Sequence, residues 1–150
     1  MQVKFGKYEG KTVEELVLKD PGYILWCLKQ QAVGPMLALQ KHAKALIAKL
    51  DAKPIQKTCY GQRCSAPATR ASVYGDNIGP MWWCNRCNPY QAGANNGKLQ
   101  IICTFNDALQ HVDQCCGGKK ADQALIFKYL AQAKGMPVRN TAKAREAFFA

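Results

Sequence analysis

The residues best suited to chemistry in this 150-residue chain are cysteines, and four of its eight come in two close pairs. Cys59 and Cys64 lie in CYGQRC, Cys84 and Cys87 in WWCNRC, and nineteen residues separate the pairs. Spacing of C-x4-C and C-x2-C around a hairpin-length spacer can bring four sulfurs to the corners of a tetrahedron, the closed shell of a structural Zn²⁺. One Zn²⁺ on Cys59, Cys64, Cys84 and Cys87 is therefore expected. A segment of about 30 residues buries too little apolar surface to order itself. Four thiolates on one zinc supply about 10–16 kcal/mol that appears as folding free energy. The competing reading is four buried free thiols.

The other cysteines carry a weaker signal. Cys103, Cys115 and Cys116 lie near His111, and a second metal on these four is conceivable. Adjacent cysteines rarely both ligate one zinc, and the spacing matches no common knuckle, so buried thiols are expected there. Cys27 reads as core. His42, among lysines, reads as a solvated surface residue.

Charge points to a partner. Lys and Arg number 21 against 10 acids, a net charge of +11. The excess is +4 in residues 1–53, +4 in 54–102 and +3 in 103–150. No tail carries it, so an acidic partner could meet several faces, and nucleic acid is the first candidate, DNA ahead of RNA. Arg63, Arg70 and Arg86 lie on or beside the cysteine segment, interleaved with Tyr74, Trp82 and Trp83. On a strand, Trp82 and Trp83 point to opposite faces, so one can enter the core while the other stays available for stacking on an unpaired base. Lys7, Tyr8 and Lys11 form a second basic–aromatic group, on a tight N-terminal hairpin. No apolar run approaches the roughly 20 residues that cross a bilayer, and MQVKFGKYEGK lacks the apolar stretch of a signal peptide. A reducing cytoplasm, no membrane partner, and cysteines used for metal rather than disulfides are expected.

The elements that would position these groups can be read from pattern. Val3 and Phe5 alternate with polar neighbours and predict a short strand. Thr12 and Glu15 predict a capping box for a short helix. Asp20-Pro21 predicts an N-cap and first helical position for the next. Met36, Leu39, Ala43, Leu46, Ile47 and Leu50 recur at helical spacing after Gly34-Pro35. PIQKT at 54–58 reads as a linker. ATRASVY and PMWWC read as strands around a GDNIG turn, residues 91–98 as a loop, and 99–105 as β-prone. Asn106 or Asp107 would cap a helix through Val112. A helix from about Ala121 to Lys134 would stop at Gly135, and a last one would cover Thr141–Phe149.

The run FGKYEGKTVEELVLKDPGYILWCL resembles the small domain at the C-terminus of exodeoxyribonuclease X and in assorted phage proteins. The resemblance covers about the first 30 residues, through Phe5, Gly6, Lys7, Tyr8, Gly10 and Lys11, then Asp20, Pro21, Gly22, Tyr23, Trp26 and Leu28. It implies a nucleic-acid-related accessory role and a phage-type protein. The exonuclease's own catalytic carboxylates have no counterpart here, since no DxE-type cluster is present. WWCNRCN is similar to the end of the zinc-bound phage recombination endonucleases, but the stretch between the cysteine pairs has no histidine to serve as base. The ending LIFKYLAQAKGMPVRNTAKAREAF faintly resembles a helix–loop–helix DNA-binding element whose turn Lys134, Arg139, Lys143 and Arg145 would line. A solvated basic face is the simpler reading.

Together these features predict an α+β protein. It would comprise an exodeoxyribonuclease X C-terminal-like unit at 1–53, a zinc module at 54–102 with a zinc-ribbon or treble-clef character, and a helical segment at 103–150 packed on that module. The expected role is a zinc-containing nucleic-acid-binding accessory protein, DNA-related and not an enzyme. The competing classes are a factor that grips a host or phage replication or transcription protein, with Trp82 or Trp83 as anchors, and a zinc-stabilised endonuclease.

Overall fold

The computed structural model describes residues 1–76, 78–88 and 99–150, the side chains of 99 and 100 excepted. The loop expected at 91–98 lies outside the described residues. Within them the chain is α+β, with six α-helices and one three-stranded antiparallel sheet.

The N-terminal hairpin is held by backbone hydrogen bonds rather than by a strand. Val3 N–H donates to Lys11 O at 2.8 Å, Gly10 N–H to Val3 O at 2.9 Å and Val13 N–H to Met1 O at 2.8 Å. The expected strand at Val3–Phe5 reduces to one bridge between Gln2 and Thr12, because the chain turns into a 3₁₀ segment at Gly6–Tyr8. Helix α1 (Val13–Lys19) starts where Thr12 Oγ1 accepts from Glu15 N–H at 3.2 Å. The other half of the expected capping box is replaced by ion pairs: the Glu15 carboxylate meets Lys19, Arg145 and Lys11. Helix α2 (Pro21–Leu28) begins as the Asp20-Pro21 signal requires, with Asp20 Oδ1 accepting from Tyr23 N–H at 3.2 Å. Helix α3 (Gly34–Ala52) buries Leu39, Ala43, Leu46 and Leu50 on the stripe read from the sequence.

The stretch 54–58 is docked rather than loose. Ile55 is buried, Gln56 N–H donates to Ala133 O at 2.6 Å, and Thr58 bridges Pro67. Strand β1 (Arg70–Tyr74) is central and pairs with β2 (Met81–Trp83) and β3 (Leu99–Ile102). Ala71 faces Trp82 and Ile102, and Ser72 faces Met81 and Ile101.

Helix α4 (Phe105–Cys115) is capped by Thr104, two or three residues earlier than the expected Asn106 or Asp107. Thr104 Oγ1 accepts from Asp107 N–H, and the Asp107 carboxylate accepts from Thr104 N–H in return. Helix α5 (Lys120–Ala133) and helix α6 (Ala142–Phe149) complete the body. Helix α1 packs on α3, α5 and α6, and α2 on α3 and α5. The C-terminal segment therefore meets the sheet through α4 against β3, while α5 and α6 lie on the N-terminal helices. At the centre, Phe105 and Phe127 are fully buried with rings 4.9 Å apart, edge to face.

Two basic residues expected on a solvated face belong to this interior. Lys134 is 4% exposed, and its ammonium donates to Leu50 O at 2.8 Å and Asp51 O at 3.1 Å. It thereby adds a donor at the carbonyl end of α3, where a cation is favoured, and Leu50 O also accepts there from Lys53 N–H at 3.3 Å. Burial pushes its pKa down. Arg145 is buried too and donates to Asn140 O and Oδ1. Arg139 and Lys143 are exposed, as expected.

Candidate functional site

Two local folds bring the four cysteines together. Around the first pair, Cys59 N–H donates to Ala66 O and Tyr60 N–H to Trp82 O, both at 2.9 Å, so the CYGQRC turn is sewn onto β2. Cys64 N–H closes the turn on Gly61 O at 3.1 Å, and Gly61 N–H donates to Cys59 Sγ at 3.3 Å. Arg63 holds φ of 56°, a left-handed conformation that tightens the turn. Gly61 has to be glycine for space: a Cβ there would sit 2.6 Å from Cys87 Sγ. The second pair follows β2 directly, and Asn88 N–H donates back to Cys84 O at 3.1 Å.

The sulfurs of Cys59, Cys64, Cys84 and Cys87 all lie within 4.8 Å of one another, and Cys64 Sγ is 3.9 Å from Cys84 Sγ. A tetrahedron with metal–sulfur bonds of about 2.3 Å has edges of about 3.8 Å, so the cluster is sized for a zinc-like ion. All eight cysteines are free thiols. The backbone N–H of Cys87, helped by that of Arg86, pulls the Cys84 thiol down to about 6. Such a sulfur is a thiolate at neutral pH, the form that binds metal. Contact with the Cys64 and Cys84 sulfurs pushes Cys87 the other way, to about 12. Four crowded sulfurs cannot all ionise without a cation among them. The arrangement can hold a metal ion and is compatible with zinc.

The other sulfur–imidazole group does not assemble in this way. Among the described residues, the four-cysteine cluster is the one group of three or more such side chains that could hold a metal. Cys116 Sγ lies 3.9 Å from His111 Nε2, with His111 fully buried, while Cys103 and Cys115 do not complete a set. Cys27 is fully buried, as read. His42 is not solvated as expected; its Nε2 lies 2.6 Å from Glu14 Oε1, half-buried.

The sheet sorts the expected basic and aromatic residues by face. Alternation puts Arg70, Ser72 and Tyr74 of β1 on one side and Ala71 and Val73 on the other. Through the register, Trp83 shares the side of Arg70, and Trp82 shares that of Ala71. Trp82 is buried at 4% exposure and serves the core. Trp83 is half-buried, donates Nε1–H to Ser72 Oγ at 2.8 Å, and meets the edge of Tyr60 at 6.3 Å between centroids. Arg70 is held by Asn85 Oδ1, Tyr74 is exposed, and Arg63 and Arg86 are exposed on the two cysteine turns.

The N-terminal group assembles differently from its sequence reading. The Tyr8 hydroxyl donates to Asp20 Oδ2 and accepts from Lys120 Nζ at 2.6 Å. Lys120 also pairs with Asp20 at 2.8 Å. Burial raises the Asp20 pKa, but the hydrogen bonds from Lys120 and Tyr8 outweigh it and hold the carboxyl below its usual range. Lys11 reaches Glu15 at 3.9 Å. Lys7 lies over the Tyr8 and Tyr23 rings, 4.8 and 5.6 Å from their centroids. Sequence reasoning missed what stands beside them: Tyr23 stacked on Trp26, with Lys120 arriving from α5. The DPGYILW run named both aromatics, but nothing local says that Trp26 is left half exposed or that α5 packs there.

No curated protein and no solved structure matches the chain. Residues 3–32, a fifth of its length, match the family model described as Exodeoxyribonuclease X-like C-terminal, and they comprise the hairpin, α1, α2 and the turn that follows.

Proposed function

We propose that this protein binds nucleic acid, DNA in the first instance, through the outer face of a sheet whose shape is set by one Zn²⁺ on Cys59, Cys64, Cys84 and Cys87. The observation that supports it best is the sorting of Arg70, Tyr74 and Trp83 onto one face, with Trp82 turned inward. Strand alternation alone would place the same pattern in many sheets. Here, though, the outer positions carry a guanidinium and two aromatic rings, and Tyr60, Arg63 and Arg86 flank them on the metal-binding turns. Bases stack on such rings regardless of sequence, and guanidinium groups hold the phosphates. The net charge of +11 adds long-range attraction. The family match at 3–32 carries the name of a DNA-processing enzyme, which supports the same reading. The role is an accessory one, and no residue is assigned to catalysis.

Equilibrium binding to labelled oligonucleotides across a salt series tests this. Affinity should fall steeply with ionic strength, with a slope of about −0.7 to −0.9 in log–log form per phosphate neutralised. Arg70→Ala with Trp83→Ala should weaken binding at least tenfold, an estimate from about 1–3 kcal/mol per stacked base. Absence of binding at low salt would contradict the proposal.

A further inference from the structure

The cleft beside Trp26 lies outside the sheet and outside the metal centre. It is about 580 Å³, within the range of small-ligand sites. Its floor is apolar and aromatic, from Phe5, Tyr23, Trp26 and Met36, and its rim carries Lys7, Lys120 and Gln123. Tyr23 and Trp26 are stacked, with centroids 5.7 Å apart and planes 23° from parallel. One side of the indole is thus covered by Tyr23, yet Trp26 remains 51% exposed. An aromatic pair that ends on an open ring invites a third planar group.

The charges around the cleft narrow what that group belongs to. Its one carboxylate, Asp20, is already neutralised by Lys120 and hydrogen-bonded by Tyr8. Lys7 has no ion pair among the described residues and rests against the Tyr8 and Tyr23 rings. Burial and the Cys27 hydrogen bond raise the Tyr23 hydroxyl to about 12, so no phenolate forms there near neutral pH. The open charge is therefore cationic, at the edge of a stacking platform. Gln123 lines the same space, and its amide carries a donor and an acceptor, the pairing a base edge requires. It comes that close because residue 22 is glycine: a Cβ there would lie 2.6 Å from Gln123 Oε1.

We propose that this cleft takes one unpaired base of a single-stranded nucleic acid, stacked on Trp26, with the adjoining phosphate on Lys7 and the base edge against Gln123. A base inside a duplex has both faces covered by its neighbours, so only an unpaired stretch or a frayed end could enter. The proposal rests on nucleic-acid binding by the protein as a whole, but assigns a second site and a strand preference that the sheet face does not imply.

The test compares binding of a 15-nucleotide oligo(dT) and of a duplex of equal length by fluorescence anisotropy, using the full chain. Trp26→Ala should weaken oligo(dT) binding by about tenfold, within the range for loss of one base–aromatic stack, and change duplex binding less than twofold. Trp26→Phe, which keeps a stacking ring, should recover most of the affinity. Lys7→Gln should lower the single-strand salt slope by about 0.7, one phosphate contact. An unchanged oligo(dT) affinity in Trp26→Ala, with Arg70→Ala still impaired, overturns the cleft site and leaves the sheet face standing; a cleft that receives a protein segment instead gives this result. Equal losses on both nucleic acids overturn the strand preference. A wild-type protein that binds neither nucleic acid removes the sheet proposal and this one together.

Discussion

The helical body and the cysteine segment order themselves by different means. The body buries large side chains from every helix, with Phe105, Phe127, Ile24, Leu39, Leu50 and Ile126 inaccessible to water. The segment from Thr58 to Asn88 contributes fewer and, Trp82 apart, smaller apolar groups to the same core: Ala68, Ala71, Val73, Ile78 and Trp82. Its own two strands, β1 and β2, make a hairpin that by itself is marginal in water, and β3 comes from outside the segment. What it has in addition is four sulfurs close enough together to hold a metal ion. With the proposed zinc in place, two neighbouring regions of one chain would depend on separate sources of free energy, one chiefly on apolar burial and the other on coordination.

That contrast can be broken in order of expected effect. Chelation, or Cys84→Ser, should remove most of a coordination energy of about 10–16 kcal/mol. NMR dispersion from 58–88 should collapse while far-UV helical signal persists, and joint loss of both would mean the regions are one cooperative unit. Phe127→Ala should act on the body alone, destabilising it by about 3–5 kcal/mol in chemical denaturation and leaving metal content at its wild-type value. Gly61→Ala forces a methyl against Cys87 Sγ. Metal affinity should drop about 10–100-fold, as for a disturbed outer shell, measured by competition with a chromophoric chelator, with helical stability unchanged. The smallest effect lies where α5 meets the N-terminal unit. Tyr8→Phe removes one hydrogen bond to Asp20 and one from Lys120; Lys120 is exposed, so water replaces its bond, and the loss is about 0.5–1.5 kcal/mol. Asp20 has a folded pKa below its unfolded value of about 3.9, so its contribution is present above that value and is lost as pH falls through the folded pKa. The gap between Tyr8→Phe and wild type should therefore shrink in acid, and a gap independent of pH would detach it from Asp20.

Legibility from sequence followed the locality of the cause. The zinc-ribbon-like set Cys59, Cys64, Cys84 and Cys87 could be read because cysteine spacing is itself the constraint, and the sulfurs do converge. The caps at Thr12 and Asp20 were legible for the same reason, each acting within one turn. The opposite facing of Trp82 and Trp83 follows from strand geometry, but which of them would be buried depended on the register with Ala71. Long-range partners were invisible. Nothing near Lys134 announces that it caps a helix ending some eighty residues earlier, and nothing near Glu15 announces Arg145. The Trp26 cleft combines both cases: its rings stand in a recognisable run, and its second wall comes from α5.

The measurement that bears most directly on the central claim is native mass spectrometry of the protein purified without added metal. One zinc per chain, displaced when the sulfurs are protonated or a chelator competes, is the expected result. A chain that carries no metal yet keeps the segment between Thr58 and Asn88 folded would contradict it.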